Sequence, residues 1–249
     1  MAIHEAEMIL TYINSHNLDE KIKGQTQLMV KNAQSIYQTM MVSHWQLQVE
    51  NLMNKSHIIR LPEDVETLNA LSENRHIKAQ ITDLDYPKCV HLAIAKSGIF
   101  FLHGYFEKAY KICSKLWDSF YHYKDYKEGR KELYSNLLLM VIKTAIAAKK
   151  YGDASKYLLQ LKEVTGFQNP FQNLLFHHYH LQLQLKSNGR GEVGKSLKAY
   201  QSFLRKARKH KRDFDQKFID FDLMLAFLKL DSWEEAEKRC IRIAHNNLP

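Results

Sequence analysis

Gly104-Tyr105-Phe106-Glu107-Lys108-Ala109 ends one apolar helical run and opens another, and the same arrangement returns twice along the chain. It reads Lys150-Tyr151-Gly152-Asp153-Ala154 in the middle and Ser232-Trp233-Glu234-Glu235-Ala236 near the end. Each copy sets an aromatic and an acid before an alanine. That order predicts the turn of a helix hairpin. The aromatics Phe106, Tyr151 and Trp233 are expected to wedge between helices, and the small Ala lets the helices approach. A repeated hairpin is the mark of a helical solenoid, which builds a surface rather than a reaction centre.

Working outward, the periodicity predicts helix pairs over 88–102 with 105–122, 131–148 with 152–163, 171–187 with 192–209, and 215–229 with 233–245. Pro62, Pro87, Pro170 and Pro249 all fall at boundaries of these runs. Helix interiors reject proline, whereas first turns accept it, so the placement favours an all-α protein. Arg60-Leu61-Pro62-Glu63-Asp64 reads as a helix start, with acids favoured by the helix dipole. Ser232-x-x-Glu235 has the form of a capping box. Before the pairs, a helix over 3–15 is followed by a long one from about Asp19 to Asn54. On the long helix Ile22, Met29, Ile36 and Ser43 recur every seven residues, and Ala33, Met40 and Leu47 follow four behind. This near-heptad stripe is either a coiled-coil seam or a face packed on the chain's own helices. The expected organisation is an N-terminal helical segment over 1–86 and helix pairs over 87–249, in one continuous solenoid.

The three turns resemble those of tetratricopeptide repeats. Gly104-x-Phe106-x-x-Ala109 carries the glycine, aromatic and alanine of that turn. Lys149-x-Tyr151-x-x-Ala154 and Asp231-x-Trp233-x-x-Ala236 carry the last two. The 171–209 pair lacks the signature, and the repeat is longer than usual. The resemblance covers about 88–249 and is closest to the interior of long bacterial tetratricopeptide proteins. It implies an antiparallel helix-hairpin solenoid with a right-handed superhelix and a concave groove lined by the first helix of each pair. By the family's turn alignment, His91, Asn136 and Lys143 face that groove, with His177 and His180 as further members. The two ends align with one another, Glu5-Ala6-Glu7 with Glu235-Ala236-Glu237. The expectation is therefore a piece of a longer protein, or ends that pair with another copy.

The net charge of +9 is localised. Between Lys186 and Arg212 lie ten Lys or Arg and one acid, Glu192, while the rest of the chain balances. On the helix in this segment Lys198, Arg205, Lys209 and Arg212 share a stripe opposite Tyr200, Phe203, Leu204 and Ala207. Such a stripe is a solvated face or a grip for phosphates through counter-ion release. Cys89, Cys113 and Cys240 form neither a disulfide framework nor a zinc spacing, and are expected to be buried core residues of a cytoplasmic protein. The sequence shows no export signal and no run of membrane-spanning length.

Gly189-Arg190-Gly191-Glu192-Val193-Gly194 matches a dinucleotide fingerprint in letters, but the helical runs on either side make it an inter-helix turn. His177 and His180 have the spacing of a shared metal, without an acid or Cys beside them, so no metal or other cofactor is expected. The reading is a non-enzymatic scaffold that binds a protein or peptide in its groove. The alternative is a nucleic-acid-binding or regulatory sensor module using the 186–212 segment. A homodimer through the terminal or long N-terminal helices is the further partner expected.

Overall fold

The computed structural model describes residues 8, 11, 20–55, 61–78, 86–121, 131–165, 170–187, 189–207 and 216–245. Among the described residues all regular structure is helical. The chain divides into two compact units, Met1–His103 and Gly104–Pro249. Of the expected helix over 3–15, Met8 and Thr11 are described, both helical and exposed; its remainder and residues 246–249 lie outside the described residues.

The first unit holds α1 (Glu20–Lys55), α2 (Pro62–Glu73), α3 (Arg75–Lys78) and α4 (Tyr86–Leu102). Pro62 opens α2 with Glu63 and Asp64 in its first turn, as the sequence predicts. The core of this unit is the packing of α1 on α4. Val42, Trp45, Val49, Leu52 and Met53 of α1 are buried, as are Val90, Leu92 and Ile94 of α4. Buried Lys88 donates to Ser35 Oγ at 3.0 Å and Gln38 Oε1 at 3.3 Å. His91 Nδ1 lies 2.6 Å from Gln46 Oε1. These pairs advance along both helices together, so α1 and α4 run in the same direction. The division falls after His103 because α4 completes the core begun by α1.

Gly98 sets how closely these helices approach. A Cβ there would collide with Val49 Cγ1 and come within 3.0 Å of the Met53 sulfur. Val49 is β-branched and fully buried, so it has little room to turn away. In an open helix, Gly→Ala stabilises by roughly 0.5–1 kcal/mol. Here overpacking wins, and Gly98→Ala is expected to destabilise by about 1–3 kcal/mol in urea denaturation. A stabilised variant would contradict the α1–α4 contact.

The second unit holds α5 (Phe106–Tyr121), α6 (Lys131–Ala147), α7 (Tyr151–Thr165), α8 (Pro170–Ser187), α9 (Arg190–Lys206), α10 (Gln216–Lys229) and α11 (Trp233–His245). Successive helices pack on one another, and α8 also touches both α6 and α10. Helix α6 is apolar nearly all round and is buried from Leu137 to Ile142. Its polar Ser135 and Thr144 bond back to carbonyls one turn earlier, which lets them enter the core.

The three turns that open the sequence reading share one backbone geometry. Gly104, Lys149 and Asp231 have φ of 79°, 61° and 58°. At Lys149 and Asp231 the hydrogen bonds are those of a Schellman cap. Lys150 N–H reaches Ala145 O and Ser232 N–H reaches Phe227 O, while Lys149 and Asp231 bond to Ile146 O and Leu228 O. The next helix then starts at once, with Ala109, Ala154 and Ala236 donating to Tyr105, Lys150 and Ser232 carbonyls. All three alanines are buried.

The aromatic beside each alanine behaves differently from expectation. Tyr151 is half-buried, Phe106 is exposed and Trp233 is 65% exposed. Phe106 instead lines an open pocket of about 380 Å³ with Ala147 and Ala148. Helix α11 packs chiefly on α10, so a single neighbour covers a narrow strip and leaves Trp233 and Cys240 outside it. Cys113 is buried as expected, and Cys89 is buried too. The wedged aromatic is Trp117, fully buried, tilted at 45° against the Tyr134 ring with centroids 4.3 Å apart, and donating to Gln160 Oε1 at 2.9 Å.

A left-handed residue other than glycine costs roughly 1–2 kcal/mol through its Cβ. Part of that gain is offset by the greater freedom of glycine in the unfolded chain. Lys149→Gly is thus expected to raise stability by about 0.5–1 kcal/mol, read from the urea midpoint.

Candidate functional site

The most concentrated polar chemistry in the described residues lies where α8, α9 and α10 meet. Helical spacing brings it together. On α8, Leu174 and Leu181 sit on the buried strip, with His178 and Gln182 to one side and His177 and His180 to the other. One side faces α10 and the other faces α9.

Asp222 of α10 is at the centre, 1% exposed. Its Oδ2 lies 2.6 Å from His178 Nδ1 and accepts from the Tyr200 hydroxyl at 3.3 Å. Its Oδ1 accepts from Gln182 Nε2 at 3.0 Å. A carboxylate only accepts, so His178 must carry a proton on Nδ1 and donate it. Three donors from two helices satisfy one buried carboxylate, which removes most of the cost of burying it. The Tyr200 hydroxyl is held well above its ordinary pKa, by burial first and then by the Asp222 charge, so it remains a donor.

Two residues along, Asp220 is as deeply buried. Its Oδ1 accepts from Arg239 of α11 at 2.6 Å, while its Oδ2 has no hydrogen-bond partner among the described residues. The two aspartates lie two residues apart, hence on opposite sides of α10, and each is met by donors from the helix packed on its side.

His177 and His180 turn toward α9. The His177 ring stacks on Phe203 at 5.0 Å and on Tyr200 at 6.2 Å. His180 Nδ1 lies 3.0 Å from Ser196 Oγ. Burial lowers the pKa of both, and His177 falls to about 4 with the neighbouring His180 charge adding to the effect. Thus His177 and His180, both half-buried, lie on the side of α8 that packs on α9. Among the described residues no group of three or more His, Cys, Asp or Glu is arranged to hold a metal ion.

The other sequence-selected residues are dispersed. His91 belongs to the first unit, where Gln46 takes up its imidazole between α4 and α1. Asn136 and Lys143 lie seven residues apart on α6, hence on one face, and both are half-buried. Lys198 and Arg205 are exposed on α9, opposite buried Tyr200 and Ala207. Lys209 and Arg212 lie outside the described residues. Of the fingerprint-like glycines, Gly189 is the N-cap of α9, whereas Gly191 and Gly194, expected in an inter-helix turn, lie within the first turns of that helix.

Sequence reasoning missed Asp220, Asp222 and Arg239. Their signal was Asp220-Phe221-Asp222 set inside an apolar run, since carboxylates carried into a helix core require donors. It also missed a cavity of about 390 Å³ in the first unit, lined by Ser72, Ile77, Lys96, Ile99, Phe100 and His103. Burial lowers the Lys96 pKa there.

No described helix is long and apolar enough to cross a membrane. No protein-family model, no curated protein and no solved structure matches this chain.

The depressed His177 pKa has a definite sign. The unfolded imidazole takes a proton near 6.5, whereas the folded one resists until about 4. Between those values the unfolded state holds more protons, so acid favours unfolding. Stability is expected to fall as pH drops through that interval, and less steeply in His177→Phe, which keeps the stacking. Urea midpoints of both proteins across the interval check this, and parallel pH profiles would contradict it.

Proposed function

We propose that this protein is a non-catalytic scaffold whose second unit is a tetratricopeptide-like array that binds a protein or peptide segment. The observation that carries the reading is the recurrence of one turn. A left-handed residue, a helix start and a buried Ala stand in the same order at 104–109, 149–154 and 231–236. Supporting it, α8 touches both α6 and α10, as the first helices of successive pairs do in such an array.

The face of α6 bearing Asn136 and Lys143 is the best candidate for contact with a bound segment. Both side chains are polar and partly open on a helix otherwise buried from Leu137 to Ile142. A polar group held by a rigid, packed helix is pre-organised to fix the register of an extended peptide. The buried Asp222 cluster supports this reading as a brace that keeps α8, α9 and α10 in register.

A photo-crosslinking residue placed at Asn136 or Lys143, in turn, tests the proposal in the native cell. Adducts with one protein are expected from both sites, and not from exposed Lys156 on α7. Lys143→Glu is expected to weaken capture at the Asn136 site by tenfold or more, about 1.4 kcal/mol. Salt-dependent binding of short RNA or DNA, lost when Lys198, Arg205 and Lys209 are neutralised, would replace this reading with the nucleic-acid one.

A further inference from the structure

Helix α1 is apolar on two opposite sides. One side, around Val42, Trp45, Val49 and Leu52, packs in the core of the first unit. On the other side Met29, Ile36, Tyr37, Met40 and Leu47 are each 53–70% exposed. Met29, Ala33, Ile36, Met40, Ser43 and Leu47 follow the alternating four–three spacing of a coiled-coil seam. Between Lys23 and Glu50 the single Lys, Arg, Asp or Glu is Lys31. Exposed helices of soluble proteins are charged; this one has the composition of a covered surface.

We infer that a second copy of this chain covers the stripe, with the two α1 helices antiparallel about a two-fold axis near Gln38. The seam is self-complementary in that register and in chemistry as well as size. Met29 meets Leu47 of the second copy, Ala33 meets Ser43, and Ile36 meets Met40. Large faces large, small faces small, and the flanking Thr26 meets Glu50. In the parallel register the two Glu50 side chains would face each other, which like charge disfavours. The antiparallel arrangement also opposes the helix dipoles favourably.

The area is sufficient. At roughly 200 Å² for a large side chain in the open, the five exposed residues present on the order of 600 Å² per copy. The symmetric pair then covers on the order of 1,200 Å², the lower range of a specific interface. The uncharged flanks Gln25, Asn32, Thr39, His44 and Asn51 set no like charges against each other across the seam.

Sedimentation of the full chain at tens of micromolar tests this. The expected mass is twice the chain mass of 29.3 kDa. Met40→Glu and, separately, Ile36→Glu should each weaken the dimer by on the order of 100-fold or more, because a charge is buried twice. Both side chains are exposed in the single chain, so helicity by circular dichroism should be unchanged. In a Cys240→Ser background, the double variant Ala33→Cys with Ser43→Cys should form an interchain disulfide on mild oxidation, and neither single variant should. A wild-type monomer would overturn the inference, whether the stripe is bare or covered by the chain's own second unit. So would a dimer indifferent to both Glu variants. Disulfides from the single variants would overturn the antiparallel register.

Discussion

The left-handed residue that closes a helix after Ala147 and Lys229 is the constraint on which the second unit depends. A Schellman cap reverses the chain within two or three residues, so the following helix begins before it can diverge from the last. Its first inward position lies at the closest approach and admits only a small side chain. Ala154 and Ala236 occupy that position, and each is buried. Lys149 and Asp231 meet the constraint at a cost that the packing of the hairpins offsets.

Within that frame the helices are fixed by a few polar bonds set among apolar contacts. Hydrophobic burial supplies most of the stability, but it is tolerant of sliding and rotation. A buried carboxylate is not. Asp222 is acceptable only when His178, Gln182 and Tyr200 all reach it, which sets the rotation of α8, α9 and α10 at once. Trp117 with Gln160, Arg239 with Asp220, and His91 with Gln46 do the same between other helices. The histidines that look like ligands in the sequence are therefore spent on holding helices together.

The first unit follows another logic. Gly98 allows α1 and α4 to run close and in the same direction, and the long α1 carries a second apolar face away from that contact.

By itself the sequence determined the helices, their ends and the three turns. Proline placement, helical periodicity and the recurring alanine are local signals, and a helix turn is a local structure. The long helix over Glu20–Lys55 and the terminal helix Trp233–His245 were legible for that reason. Only the tertiary structure decided which aromatic is wedged, where His91, His177 and His180 point, and that two aspartates lie buried on α10. Trp117 and Trp233 are equally apolar in the sequence, yet one is enclosed by α6 and α7 and the other has chiefly α10 beside it. Periodicity tells which residues share a face; it does not tell what lies against that face, because burial is set by the number and position of neighbouring helices brought there from far along the chain.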